Sequence, residues 1–130
     1  MKDAVREVLE GSPRVAYGLI FGSQARGTAH AQSDVDVAIG VADRGHLSHA
    51  EVGDLVSRLE RATGRAVDVV IVHETSIPVA FRIFREGTEV LVRDRKALVD
   101  QKARAIVAYF DFKPIHDRCV AGALRAAARG

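Results

Sequence analysis

Asp34 and Asp36 stand one residue apart in an apolar run, Asp34–Gly40 (DVDVAIG), and a third acid, Asp68, interrupts another, Ala66–Val72 (AVDVVIV). Residues two apart on a strand leave the same face, about 7 Å apart along the backbone. Acids in strands built for burial are costly unless a cation or a partner neutralises them. Three of them together would repel one another and raise their own pKa values. That spacing suits oxygen ligands converging on one or two hard cations, and magnesium is commonly held by one or two carboxylates together with substrate phosphates. With two Mg²⁺ ions such a set stabilises the attacking and leaving oxygens of an in-line displacement at phosphorus. The structural alternative is that Asp34 caps a loop while Asp36 and Asp68 pair with arginines.

A second feature lies about a dozen residues upstream of the paired acids, in Phe21–Gly40 (FGSQARGTAHAQSDVDVAIG). Gly22 lets the backbone approach a phosphate closely. Ser23 offers a hydroxyl and a backbone N–H at a helix start, a natural anion site. Alone, a Gly-Ser pair after a strand is an ordinary turn; beside D-x-D it reads as a phosphate clamp. Arg26 could meet a triphosphate or tie the following short helix to a strand carboxylate. Ser33 could hydrogen-bond the carboxylate or the loop, and His30, in the same connection, reads as a surface histidine. The stretch as a whole reads as a metal- and phosphate-binding site for a nucleotide.

The surrounding sequence supplies elements to position these groups. Residues 3–10 give a helix with Ala4, Val5, Val8 and Leu9 on one face, stopped by Gly11–Ser12–Pro13. Arg14–Phe21 is the first strand, SQARGTA a short helix capped by Ser23, and His30–Ser33 a polar loop. In the second strand, Asp34–Gly40, the acids and Ala38 oppose Val35, Val37 and Ile39. Gly45–Gly64 reads as an amphipathic helix, Ala66–Val72 as the third strand, 76–86 as a helix with Pro78 in its first turn, and Thr88–Val92 as the fourth strand. Residues 94–110 form a helix with Leu98, Val99, Ala105, Ile106 and Tyr109 as apolar contacts, and Ile115–Arg129 another, with Cys119 buried in it. The alternation predicts an α/β (α+β) fold: a small mixed sheet covered on at least one face by helices.

At 130 residues the chain is read as one domain, with the helices from about residue 94 as a packing or partner-binding extension. A single cysteine cannot form an internal disulfide or a thiolate zinc site, which points to a reducing cytoplasm. No run approaches the length of a membrane span, and the N-terminus has no signal-peptide core. A net charge of +2 is too small to argue for nucleic-acid binding by bulk electrostatics, and the aromatic residues are not interleaved with basic ones into a stacking platform. Direct nucleic-acid binding is therefore not expected.

The run Gly22, Ser23, Ala25, Arg26, Gly27, Ser33, Asp34, Asp36 follows G-S-x-A-R-G-x-x-x-x-x-S-D-x-D. It resembles the minimal (MNT) branch of the DNA polymerase β superfamily of nucleotidyltransferases. The motif covers about twenty residues; FREGTEVLVRDR and YFDF extend the likeness along the chain. The resemblance implies the nucleotidyltransferase fold, Asp34 and Asp36 as ligands shared by two Mg²⁺ ions, and Gly22–Ser23 on the β- and γ-phosphates. It further implies that Asp68 binds one metal and helps activate an acceptor hydroxyl. These 130 residues hold no counterpart of the large extra domain that builds a nucleic-acid cleft in polymerases, so polymerase activity on nucleic acid is not expected.

Stand-alone MNT proteins of this kind resemble antitoxins paired with HEPN toxins, which are helical ribonucleases. This resemblance implies transfer of AMP from ATP to a tyrosine of such a toxin. One alternative is a small-molecule nucleotidyltransferase of the aminoglycoside-modifying kind, although the spare acids Glu51, Asp54 and Glu60 read as a solvated helix face. The other is an antitoxin that occludes its partner without chemistry.

Overall fold

Seven consecutive buried residues, Val15–Phe21 (VAYGLIF), form β1, an interior strand. The computed structural model describes residues 1–22 and 34–129. β2 (Val35–Val41) and β4 (Thr88–Val92) flank β1 antiparallel, and β3 (Val67–Ile71) pairs parallel with β2, giving the order β3-β2-β1-β4. A parallel pair cannot be joined by a hairpin, and the β2–β3 crossover carries the helix α2 (His49–Thr63). The other α-helices among the described residues are α1 (Lys2–Glu10), α3 (Ile77–Glu86) and α4 (Arg95–Arg129). The mixed sheet flanked by helices agrees with the expected fold class.

Alternation on the strands builds two cores. Val35, Val37 and Ile39 of β2 join Val5 and Leu9 of α1 and Leu55 and Leu59 of α2 on one face. Ala38, with Tyr17, Leu19 and Phe21 of β1, packs on the other face against Ala80, Ile83 and Phe84 of α3 and Leu98 and Ala105 of α4. Helices therefore cover both faces, and Asp36 of β2 shares the α3/α4 face, where Ala38 lies. Arg93 locks the first helix to the sheet: its guanidinium donates to the carbonyls of Leu9, Glu10, Ser12 and Val15, at 2.5–3.4 Å. Two of these carbonyls, Leu9 and Glu10, belong to the last turn of α1, where helix carbonyls lack intrahelical partners; the other two lie in the turn after it and at the start of β1.

Several boundaries differ from the sequence reading. β2 begins at Val35, leaving Asp34 just before it. α2 begins at His49 rather than Gly45, because Ser48 and Glu51 form a capping box: Ser48 Oγ accepts from the Glu51 N–H and the Glu51 carboxylate from the Ser48 N–H, each at 3.1 Å. Gly64, at φ 70°, closes that helix in the left-handed conformation. α3 starts after Ser76, whose side chain accepts from the Val79 N–H.

The largest correction concerns the C-terminal part, where the two expected helices are one. α4 runs 35 residues through Pro114, a length of about 52 Å. A proline inside a helix removes one hydrogen bond. Here the loss is offset by the alanine-rich continuation, a strong helix former, and by the Lys113–Asp117 pair at 2.8 Å across the next turn. Cys119 is exposed on this helix, not buried, and Val99, expected as an apolar contact, is 53% exposed. The short helix SQARGTA and the loop His30–Ser33 lie outside the described residues.

Candidate active site

The carboxylates gather at one end of the sheet. Asp36 and Asp68 are direct register partners across the parallel β2–β3 pair, on strands about 4.8 Å apart. On its other side Asp36 is paired with Phe21, the last residue of β1. Directly opposed residues share a face, so Asp68, Asp36 and Phe21 form one row across three strands. Asp34 stands immediately before β2 and is exposed, as is Asp68; Asp36 is half-buried. Among the described residues none of the three acids makes an ion pair; Arg26, which the sequence reading allowed to meet a strand carboxylate, lies outside them.

Burial raises the Asp36 carboxyl above its ordinary value, and the neighbouring Asp68 raises it further; the Arg82 guanidinium pulls the other way and Asp34 adds a smaller upward push. Asp36 therefore feels both other acids, which is how closely set carboxylates behave. Among the described residues no three His, Cys, Asp or Glu side chains form a ready-made metal cage. Magnesium in general takes much of its coordination shell from water and substrate phosphate. The donors are hard carboxylate oxygens, two of them exposed, so the residues fit a magnesium ion better than a softer metal.

Gly22 is the second component. It has φ 74°, a conformation that disfavours a side chain, and a Cβ built there would run into the Asp36 carboxylate. The connection from β1 to β2 thus leaves the sheet with its backbone pressed against the central acid. Gly22→Ala is expected to lower nucleotide transfer about 10²-fold, because a displacement of about 1 Å in a positioned group costs that much. A melting curve should show only about 1–2 kcal/mol lost to the left-handed strain. Unchanged transfer would show that the close approach has no role. Ser23 and Arg26, the other expected nucleotide-binding residues, lie outside the described residues.

Sequence spacing missed Arg82. It extends from α3, and its Cζ sits 5.9 Å from the centroid of the Phe21 ring, at the β1 end of the row. Nothing in SIPVAFRIFRE separates Arg82 from Arg85, whose Cζ lies over Phe81 at 5.8 Å; the distinction comes only from packing of α3 on the sheet. Packing also assembles an aromatic cluster that the linear sequence does not show. Phe81 stacks on Tyr109 at 3.9 Å and Phe110 meets both edge-on, holding α4 against α3.

A D-x-D run entering β2, a third acid in register beside it and a glycine turn pressed onto the central carboxylate stand together on one face of a mixed sheet. The chain belongs to the polymerase beta nucleotidyltransferase family, which it matches over residues 3–96. No curated protein matches it in sequence. Among solved structures it is similar in fold to a chain of a toxin–antitoxin complex with AMP-PNP (20% identity, TM-score 0.81, covering 95% of this chain and 98% of that one). It is also similar to a chain of the MntA–HepT toxin–antitoxin complex (17%, 0.74, 95% and 96%). A third likeness is to a chain of the complex between a tri-AMPylated Shewanella oneidensis HEPN toxin and its MNT antitoxin (17%, 0.74, 95% and 99%). Among the described residues no helix is long and apolar enough to cross a membrane.

Proposed function

We propose that this nucleotidyltransferase moves AMP from ATP to a tyrosine hydroxyl of a HEPN-type toxin in the cytoplasm and thereby acts as its antitoxin. The observation that carries the reading is the in-register Asp36–Asp68 pair with Gly22 against Asp36. The fold it shares with chains of toxin–antitoxin complexes, one containing an AMPylated toxin, supports the acceptor class. The chain acts as one domain, with α4 as an extension of the transferase body.

Asp34, Asp36 and Asp68 are the groups that would hold two Mg²⁺ ions. Magnesium bound there supplies charge neutralisation on the phosphates and on the oxygens that attack and leave. Gly22 and Ser23 receive the β- and γ-phosphates, with Arg26 as a further contact. The tyrosine oxygen attacks the α-phosphorus, the bond from that phosphorus to the bridging oxygen breaks, and pyrophosphate departs with its electron pair. Asp68, exposed at the edge of the row, takes the hydroxyl proton. The exposure of Asp34 and Asp68 suits an acceptor that brings its own surface.

The acids a polycationic drug would need are already engaged. Glu51 grips Arg14 at 2.9–3.0 Å, Asp54 pairs with Arg58 at 3.0 Å, and Glu60 accepts from the Val67 N–H at 3.2 Å. This disfavours the aminoglycoside-type alternative. Incubation with ATP, Mg²⁺ and the HEPN partner is expected to add whole AMP masses to a partner tyrosine, with one pyrophosphate released per AMP. An unchanged partner mass in the presence of an intact Asp34–Asp36 pair would refute the reading.

A further inference from the structure

Arg82 is exposed and makes no ion pair among the described residues. It nevertheless has a defined place, with its guanidinium 5.9 Å from the centre of the Phe21 ring. An arginine held against an aromatic face keeps its N–H edges available, and that planar fork matches phosphate oxygens. The helix that carries it is fixed: α3 is capped by Ser76 and buries Ala80, Ile83 and Phe84 beneath the sheet.

The row of residues gives this cation a direction. Asp36 has Asp68 on its β3 side and Phe21 on its β1 side. Gly22, proposed above to receive the phosphates, follows Phe21 directly, so Arg82 stands on that side of Asp36, away from Asp68. A triphosphate brings about four negative charges toward three carboxylates. A fixed cation on the side where pyrophosphate leaves counters that repulsion where charge accumulates in the reaction. As a plain counter-ion for Asp36 it would be expected within ion-pair distance, where it is not found.

We infer that Arg82 is a substrate-binding residue of this site, held over Phe21 so that its guanidinium takes the β- and γ-phosphate oxygens of the incoming nucleoside triphosphate. The inference rests on the proposed nucleotide site but not on the identity of the acceptor.

Calorimetric titration of the intact protein with Mg²⁺ and the non-hydrolysable α,β-methylene analogue of ATP, and separately with AMP, tests it. Arg82→Ala is expected to weaken the triphosphate analogue roughly 10- to 100-fold, the range for lost charge-assisted hydrogen bonds, and to leave AMP within about twofold. Arg82→Lys should fall between, keeping the charge but losing the fork. Melting curves of both variants should overlay the wild type. Equal loss of AMP and triphosphate, or triphosphate binding unaffected in Arg82→Ala, overturns the inference while the proposed function stands. Wild-type protein that binds no triphosphate overturns both. Arg82-dependent binding together with an unmodified HEPN partner upholds the inference and removes only the proposed acceptor.

Discussion

Asparagine at position 36 is expected to reduce nucleotide transfer by about 10³-fold or more and, at neutral pH, to raise the melting temperature of the ligand-free protein. The first effect follows from the centre of the row: Asp36 lies between Asp68 and Phe21, beneath Gly22, and no other acid has both neighbours. The second follows from the direction in which its carboxyl is displaced. Burial first, then Asp68 and to a lesser degree Asp34, hold it above its ordinary value despite Arg82.

A carboxyl that is harder to ionise in the folded chain than in the unfolded chain costs no stability below the unfolded pKa, about 4. As pH rises toward the folded value, the unfolded state sheds the proton more readily, and folding loses stability until both states are ionised. At neutral pH the penalty is therefore complete, and Asp36→Asn removes it. Differential scanning calorimetry at neutral pH and again below the carboxylate range should show the variant's advantage at the first and its disappearance at the second. Asp36→Asn should also fail to neutralise a co-expressed HEPN toxin. Full neutralisation by a variant without transfer activity would establish occlusion without chemistry, and a lower neutral-pH melting temperature would show that Asp36 is not under strain.

The acids were legible because they violate a local rule: an apolar strand has no reason to carry a carboxylate unless it is used. Their pairing was legible only conditionally, since Asp68 completes the set only if β3 lies beside β2, as it does in parallel register. Arg82 was not legible. A surface arginine in an amphipathic helix obeys every local preference, and its position depends on the docking of α3 against β1. The same holds for Phe81, Tyr109 and Phe110, two of them nearly thirty residues from the first. Their stacking is a tertiary event with no sequence period. The break expected between the C-terminal helices failed for the opposite reason. Pro114 sends a strong local signal, but alanine-rich helix propensity and the Lys113–Asp117 pair carry the helix past it.

Gly40→Ala is expected to be the most destabilising single-methyl change in the sheet. Gly40 is the register partner of Tyr17 across β1 and β2, and a Cβ at position 40 would fall inside the Tyr17 ring, against Cε1, Cζ and Cδ1. The ring cannot simply swing away. Tyr17 is fully buried, and its hydroxyl donates to Gln101 Oε1 at 2.5 Å, while Gln101 Nε2 donates to the Val41 carbonyl at 3.0 Å. Burial pushes the Tyr17 hydroxyl well above its ordinary pKa, so it stays a protonated donor throughout the working pH range and the bridge from β1 through α4 to β2 does not titrate away. Overpacking costs about 1–3 kcal/mol and breaking the buried polar bridge about 1–3 more, a large part of the about 5–15 kcal/mol that holds a domain together. The melting temperature should fall by about 10 °C or more, and transfer should fall with it, because the same face carries Asp36. Tyr17→Leu supplies the decisive comparison. It removes the obstructing ring at its own cavity cost, and adding Gly40→Ala to it should cost far less than adding Gly40→Ala to the wild type. Such a positive coupling in the double-mutant cycle would locate the damage in the Gly40–Tyr17 contact; additive losses would mean that the methyl is rejected by the strand itself, and the Tyr17–Gln101 bridge would lose its place as the clamp between sheet and α4.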